Sequence, residues 1–156
     1  ILIAQTGLEA EAPTIKSDCS PIIDAIEVAF KIGGIHAAKD PTRGGLAMAL
    51  NDWARKAKVS IIVWEEKVPL RDEVRAYSEM LGVDPFSLAS EGVALIAVDP
   101  GKAENLVEEL KNVGYKDAEI IGEVRKGKEG YVLVETISGG LRILEPPIGE
   151  IVPRIC

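Results

Sequence analysis

The chain has 156 residues, enough for one domain, and 47% hydrophobic residues with only 4% aromatics predict a core of Val, Ile, Leu and Ala. The net charge of −7 argues against binding to nucleic acid or to an anionic membrane, and no apolar run approaches the roughly 20 residues of a membrane span. Two cysteines are too few for a secreted disulfide scaffold, so we expect a cytoplasmic protein, while scarce Gln and Asn beside abundant Lys and Glu are typical of a thermophile.

Hydrophobic periodicity predicts alternating helices and strands over the first two thirds of the chain. After an irregular lead-in, Ser20 is expected to cap a helix over Pro21–Ile32, which is apolar and therefore buried on most sides. A loop then runs from Gly33 to Gly45. The next predicted elements are a helix over Leu46–Ala57, a strand over Val59–Trp64, a helix over Arg71–Leu81 and a strand over Val93–Val98.

The last third of the chain is expected to begin with a helix capped by Asp99-Pro100. Two strands, Ala118–Val124 and Gly130–Glu135, flank a turn-like run of glycine and charged residues and predict a hairpin. A short strand follows over Leu141–Leu144. This pattern indicates an α+β domain over residues 1–145, with helices packed on a mixed sheet, and a flexible tail over residues 146–156.

A glycine-rich segment, Asp40-Pro41-Thr42-Arg43-Gly44-Gly45, opens the second predicted helix. Two glycines at a helix start let the backbone approach a ligand, and the helix dipole together with Arg43 favours an anion such as phosphate. The same residues also form an ordinary turn and cap, so the segment alone leaves both interpretations open. The single histidine, His36, lies on the approach to this segment and is either a structural histidine or part of the site.

Two further positions could carry chemistry. Glu91, between Ser90 and Gly92, enters a predicted strand, where a carboxylate acts either as a general base or as a solvated turn residue. Cys156 is the last residue of the sequence, and prolines before it favour an extended arm that could reach about 30–35 Å from Pro146. A thiol on such an arm is suited to carrying a group between sites, unless it is simply a frayed end. The other cysteine, Cys19, is predicted to be a small core residue.

Taken in order, these motifs resemble the C-terminal half of the HypE family of hydrogenase maturation proteins. The resemblance covers nearly the whole chain and is strongest at its last four residues. Ser90 departs mildly from the family, which more often has Asn there. The matching stretches are Lys16-Ser17-Asp18-Cys19, Gly34-Ile35-His36, Asp40 through Leu46, Ser90-Glu91-Gly92 and Pro153-Arg154-Ile155-Cys156.

The resemblance implies a three-layer α/β/α domain like the C-terminal domain of aminoimidazole ribonucleotide synthetase, from the superfamily that also contains selenophosphate synthetase. It implies that an N-terminal ATP-binding domain, which forms the usual homodimer and holds most of the ATP and Mg²⁺, is absent here, and the start at Ile1 rather than Met agrees with a fragment. We therefore expect the isolated domain to be inactive and to hold no metal itself.

The activity that the resemblance implies is ATP-dependent dehydration of a carbamoyl group. A HypF-type carbamoyltransferase loads Cys156, dehydration leaves a thiocyanate, and the cyanide passes to iron on a HypC–HypD complex. Glu91 would then be the catalytic base, and His36, Arg43, Gly44 and Gly45 would bind the phosphate of the cofactor. Two alternatives stay open: another ATP-dependent synthetase or kinase of the same superfamily, and a non-enzymatic domain in which the two cysteines form a disulfide or bind metal.

Overall fold

The computed structural model describes residues 17–127 and 129–148. The helices in these ranges are α1 (Ile23–Ile32), α2 (Gly45–Ala57), α3 (Asp72–Leu81) and α4 (Pro100–Asn112). The strands in these ranges are β1 (Ile35–Lys39), β2 (Ser60–Trp64), β3 (Leu95–Val98), β4 (Gly122–Arg125), β5 (Val132–Glu135) and β6 (Leu141–Ile143). None of the helices in the described part of the chain has both the length and the hydropathy of a membrane span.

The strands form two sheets. β1 and β3 pair antiparallel as a two-stranded sheet, whereas the other strands follow the order β4-β2-β5-β6. In the larger sheet β2 is antiparallel to β4 but parallel to β5, and β5 is antiparallel to β6. The larger sheet is therefore mixed, as predicted.

The described residues form two apolar cores, one mainly on each sheet, although Leu95 of β3 belongs to the core of the larger sheet. Small residues of α2 pack on β2 and β5, whereas Ala25 and Ala29 of α1 pack against Leu106 and Leu110 of α4 and, with them, against β1 and β3. Alanines at these contacts let the helices approach closely. The α+β class with helices packed on a mixed sheet is confirmed. The first core consists of Ala47, Ala49, Leu50, Ala54, Ile61, Val63, Phe86, Leu95, Val132, Val134 and Leu144.

The prediction for the first helix is wrong in two respects. The helix begins at Ile23 with Ile22 rather than Ser20 at the cap position, and it is not buried on most sides, because Ile23 and Phe30 are 69% and 70% exposed. Only one face of a surface helix can reach the core, so the remaining apolar side chains stay in solvent. Cys19 is also exposed, so its predicted place in the core is wrong.

The predicted hairpin is also wrong. β4 and β5 do run in opposite directions, but β2 lies between them and pairs with both. β2 is suited to a central position because Ile61 and Val63 are buried and Ile62 is half-buried. A turn signal predicts a reversal of the chain, but it does not decide whether the two strands become neighbours.

The backbone of Leu144, just after β6, is held on both sides. Its amide donates to the carbonyl of Val132 at 2.9 Å, and its carbonyl accepts a 2.8 Å hydrogen bond from the side-chain amide of Asn51. Asn51 is buried on α2 and also donates to the carbonyl of Ala47. These hydrogen bonds therefore hold the described chain in place as far as Leu144, two residues before Pro146.

Replacing Asn51 by alanine is expected to lower the free energy of unfolding by about 1–3 kcal/mol, because the buried carbonyl of Leu144 loses its donor. Urea denaturation measures the loss as a lower midpoint at an unchanged slope. Asn112→Ala, at the exposed end of α4, is the matched control. Equal stability of the two variants would mean that the Asn51 hydrogen bonds contribute nothing net.

Candidate functional site

The glycine-rich segment and Glu91 meet at one end of the two-stranded sheet. Lys39, the last residue of β1, pairs with Leu95, the first residue of β3, so the loop that leaves β1 lies beside the loop that enters β3. The amide of Ser90 donates to the carbonyl of Pro41 at 3.0 Å and joins the two loops directly. Two motifs far apart in sequence are thus neighbours in the fold.

Glycine is favoured at positions 44 and 45 for two different structural reasons. Gly44 caps α2 in the left-handed conformation, with φ of +71°, which favours glycine. Gly45 has φ of +60° and is buried, and a Cβ there would lie 2.6 Å from the carbonyl oxygen of Phe86 and closer still to that of Leu88. The lack of a side chain at Gly45 therefore lets the backbone approach another part of this chain, at Phe86 and Leu88. Arg43, next to them, is exposed at the positive end of the helix dipole.

Asp18 is a residue of this site to which the sequence assigned no role. Its Oδ2 accepts a hydrogen bond from the hydroxyl of Ser90 and a 3.2 Å hydrogen bond from the amide of Glu91. A Cβ on Gly92 would collide with the carbonyl oxygen of Asp18, so the two backbones are in direct contact. In the sequence, only the family resemblance singles out the segment that contains Asp18.

The loop after β1 is also fixed at its start. Lys39 Nζ donates to Asp52 Oδ2 of α2 at 3.1 Å, and Arg55 donates to Oδ1 at 3.3 Å. The hydrogen bond from Lys39 lowers the pKa of Asp52 and outweighs the opposite effect of desolvation. Because the pKa is lower in the folded state, this contribution to stability is complete above the ordinary value of 3.8 and is lost as the pH falls through the lowered value. At neutral pH this contribution from Asp52 is therefore complete.

His36 does not join the other predicted residues. It lies at the opposite end of β1, at a register shift between Ile35 and Ala37, and its Nε2 is 2.7 Å from Asp99 Oδ1. Asp99 precedes α4 but makes no side-chain cap, so its carboxylate is committed to His36 instead. Strand geometry of about 3.3 Å per residue separates His36 from Asp40 by about 13 Å.

The residues at this end of the sheet are open to solvent. Asp18, Arg43 and Glu91 are all exposed. The described ranges contain no group of three or more His, Cys, Asp or Glu side chains that could hold a metal ion. A helix start with an adjacent arginine fits the phosphate of ATP, whereas Mg²⁺ finds no such ligand group among these residues. Cys156 and the predicted tail from residue 149 onward lie outside the described residues.

The chain matches one family model and several known protein sequences. Residues 4–135 match the family model described as AIR synthase related protein, C-terminal domain. A hydrogenase expression/formation protein of Methanocaldococcus jannaschii is 45% identical over 159 residues, which cover 100% of this chain and 46% of that protein. Carbamoyl dehydratase HypE of Rhodobacter capsulatus is 36% identical over 157 residues, covering 99% and 46%. The chain thus spans about half the length of the curated relatives it matches.

Solved structures agree with the sequences. HypE of E. coli, a hydrogenase maturation protein, superposes with a TM-score of 0.90 at 34% identity, covering 100% of this chain and 48% of that one. HypE in complex with ATP gives 0.85 at 34% identity, covering 93% and 45%. A HypE–HypF complex gives 0.80 at 35% identity, covering 90% and 48%. The chain is similar to HypE, and it belongs to the family of AIR synthase related proteins as a C-terminal domain.

Proposed function

We propose that this chain is the C-terminal half of a full-length protein that dehydrates a carbamoyl group on Cys156 to a thiocyanate, at the expense of ATP, during [NiFe]-hydrogenase maturation. The observation that carries the proposal is the hydrogen bond between Ser90 and Pro41, which brings Glu91 beside the positive start of α2. A base and an anion-binding helix end are the two devices that this dehydration requires.

The relatives support the activity and its cofactor. Proteins named carbamoyl dehydratase are among the similar sequences, and one similar solved structure is a complex with ATP. Because the chain spans 46% of such a relative, we assign the nucleotide-binding domain and the Mg²⁺ ligands to the other half. The open, solvent-exposed position of Asp18, Arg43 and Glu91 is what a site completed by a second domain requires. We expect the isolated half to be inactive and the full-length protein to form a homodimer.

The reaction removes the elements of water from a thiocarbamate. ATP, when bound, supplies the phosphoryl group that turns the carbamoyl oxygen into a good leaving group. Glu91 accepts one nitrogen proton as the carbamoyl oxygen is phosphorylated and releases it to solvent. It then accepts the second proton as the carbon–nitrogen bond becomes triple and the oxygen departs as phosphate. Arg43 and the amide of Gly44 are assigned to the phosphate charge. The amide of Gly45 donates to the carbonyl of Thr42 at 3.2 Å, so a phosphate-binding role for Gly45 stays a prediction without support from this geometry. His36, bound to Asp99 at the far end of β1, stays a prediction without support from this geometry.

The tail connects this site to its partners. The described chain is anchored at Leu144, and the segment from Pro146 to Cys156 could span at most about 30–35 Å. That length allows the thiol to be loaded in one place and to react in another. A HypE–HypF complex among the similar structures supports a HypF-type carbamoyltransferase as the loading partner. We assign delivery of the cyanide to iron on a HypC–HypD complex.

Intact-protein mass spectrometry tests the proposal on the full-length protein. After incubation with carbamoyl phosphate, the HypF-type partner and ATP, the protein is expected to gain a carbamoyl group and then to lose one water. A full-length protein supplied with a pre-formed carbamoyl group but no ATP should keep it unchanged. A protein that is never loaded, or that loses no water with ATP present, would refute the proposed function.

A further inference from the structure

We propose that Asp18 is a positioning residue that holds the backbone at Ser90–Glu91, so that the carboxylate of Glu91 is presented to the thiocarbamate. This inference rests on the proposed function and adds to it a residue outside the assigned catalytic set. Asp18 itself touches neither substrate nor cofactor in this scheme. It acts through Glu91 alone.

The contacts between Asp18 and the loop are directed and long-range. One carboxylate oxygen accepts both the hydroxyl of Ser90 and the amide of Glu91, which lie 72 and 73 residues away along the chain. Hydrogen bonds to a charged acceptor are roughly twice as strong as neutral ones, so a single aspartate restrains two consecutive residues. The catalytic base is the second of them.

Two further contacts hold the same loop from other sides. The amide of Ser90 is bound to the carbonyl of Pro41, and Gly92 lies against the backbone of Asp18, where a Cβ would also come within 2.8 Å of Ser20 Oγ. The loop is thus tied to the glycine-rich segment on one side and to residues 18–20 on the other. Its own side chains are exposed or half-buried, so burial contributes little to its order.

Restraint of this kind matters to rate more than to folding. An exposed glutamate on a free loop samples many positions, and a misplacement of about 1 Å can cost about 100-fold in rate. Asp18, Ser90 and Glu91 belong to neither of the two apolar cores of the described residues. Loss of the Asp18 carboxylate should therefore slow the step that uses Glu91 and leave carbamoyl loading of Cys156 unchanged.

The test uses full-length protein carrying Asp18→Ala, with Asp18→Asn as the conservative variant and Asp117→Ala, an exposed aspartate far along the chain, as the matched control. Asp18→Ala is expected to load carbamoyl normally but to dehydrate it about 10- to 100-fold more slowly under single-turnover conditions with saturating ATP. Asp18→Asn keeps an oxygen acceptor and should recover most of the rate. Asp117→Ala should match the unaltered protein.

A double variant separates positioning from a merely structural effect. Because Asp18 acts through Glu91, adding Asp18→Ala to Glu91→Gln should slow dehydration no further. A wild-type rate in Asp18→Ala, or an equal loss on the Glu91→Gln background, would overturn the positioning role while the proposed function stands. If Glu91→Gln itself reacts at the normal rate, or the unaltered protein never dehydrates its carbamoyl group, both the role of Asp18 and the mechanism it rests on fail.

Discussion

Full-length protein in which Cys156 is replaced by alanine is expected to take up no carbamoyl group at all. The proposed carrier atom is the sulfur of this residue, and nucleophilic transfer to carbon needs the thiolate, which the preceding residues of the sequence, Pro153, Arg154 and Ile155, cannot supply. The expected loss is complete rather than partial. Intact mass and peptide mapping after incubation with carbamoyl phosphate and the HypF-type partner measure it directly.

The second thiol of the chain provides the control. Cys19 is exposed and is adjacent in sequence to Asp18, so it is available to reagents near the proposed site. Cys19→Ala is expected to load as well as the unaltered protein. Label on Cys19, or any loading that survives Cys156→Ala, would contradict the assignment of the carrier.

Replacing Glu91 by glutamine is expected to separate loading from dehydration. Glutamine preserves the size of the side chain and leaves the backbone amide free to donate to Asp18, but it cannot accept a proton at neutral pH. Loading should proceed normally, whereas dehydration should fall by about 10²–10⁴-fold, the usual contribution of a positioned general base. The carbamoyl form of the protein should therefore accumulate in the presence of ATP.

Single-turnover measurements that follow the loss of one water from the loaded protein report this effect. Glu79→Gln, an exposed glutamate on α3, is the matched control and should dehydrate at the normal rate. If Glu91→Gln kept pace with that control, Glu91 would be a solvated turn residue and the base would have to come from elsewhere.

Local pattern predicted the later helices and most strands well. α2 and α3 begin and end within two residues of their expected bounds, because apolar spacing marks both helices. α4 begins at Pro100, directly after the expected cap residue Asp99. β1 lies where the sequence predicts a loop, between Gly33 and Gly45. Gly33 and Gly34 with positive φ precede it and His36 interrupts its register, so neither propensity nor alternation marks a strand there.

The site was predicted in parts but not as an arrangement. The glycine-rich segment and Glu91 each carry a local signal, whereas the bond between Pro41 and Ser90 and the contacts of Asp18 depend on the pairing of β1 with β3. The residues next to Asp18 in the sequence do not indicate whether this aspartate holds a distant loop or is an ordinary turn residue. His36 shows the converse, since nearness in sequence to the glycine-rich segment did not become nearness in space.

The central position of β2 governs how the domain reaches its fold. Ser60–Trp64 pairs with β4 and β5, both of which come much later in the chain, so the larger sheet depends on contacts of high sequence separation and should form slowly. Before β4 and β5 have paired with it, β2 is a short strand rich in isoleucine and valine with both backbone edges unpaired. Such a strand is a template for association with other chains. A translation product that stops before β4 would therefore be an aggregation hazard rather than a smaller working domain.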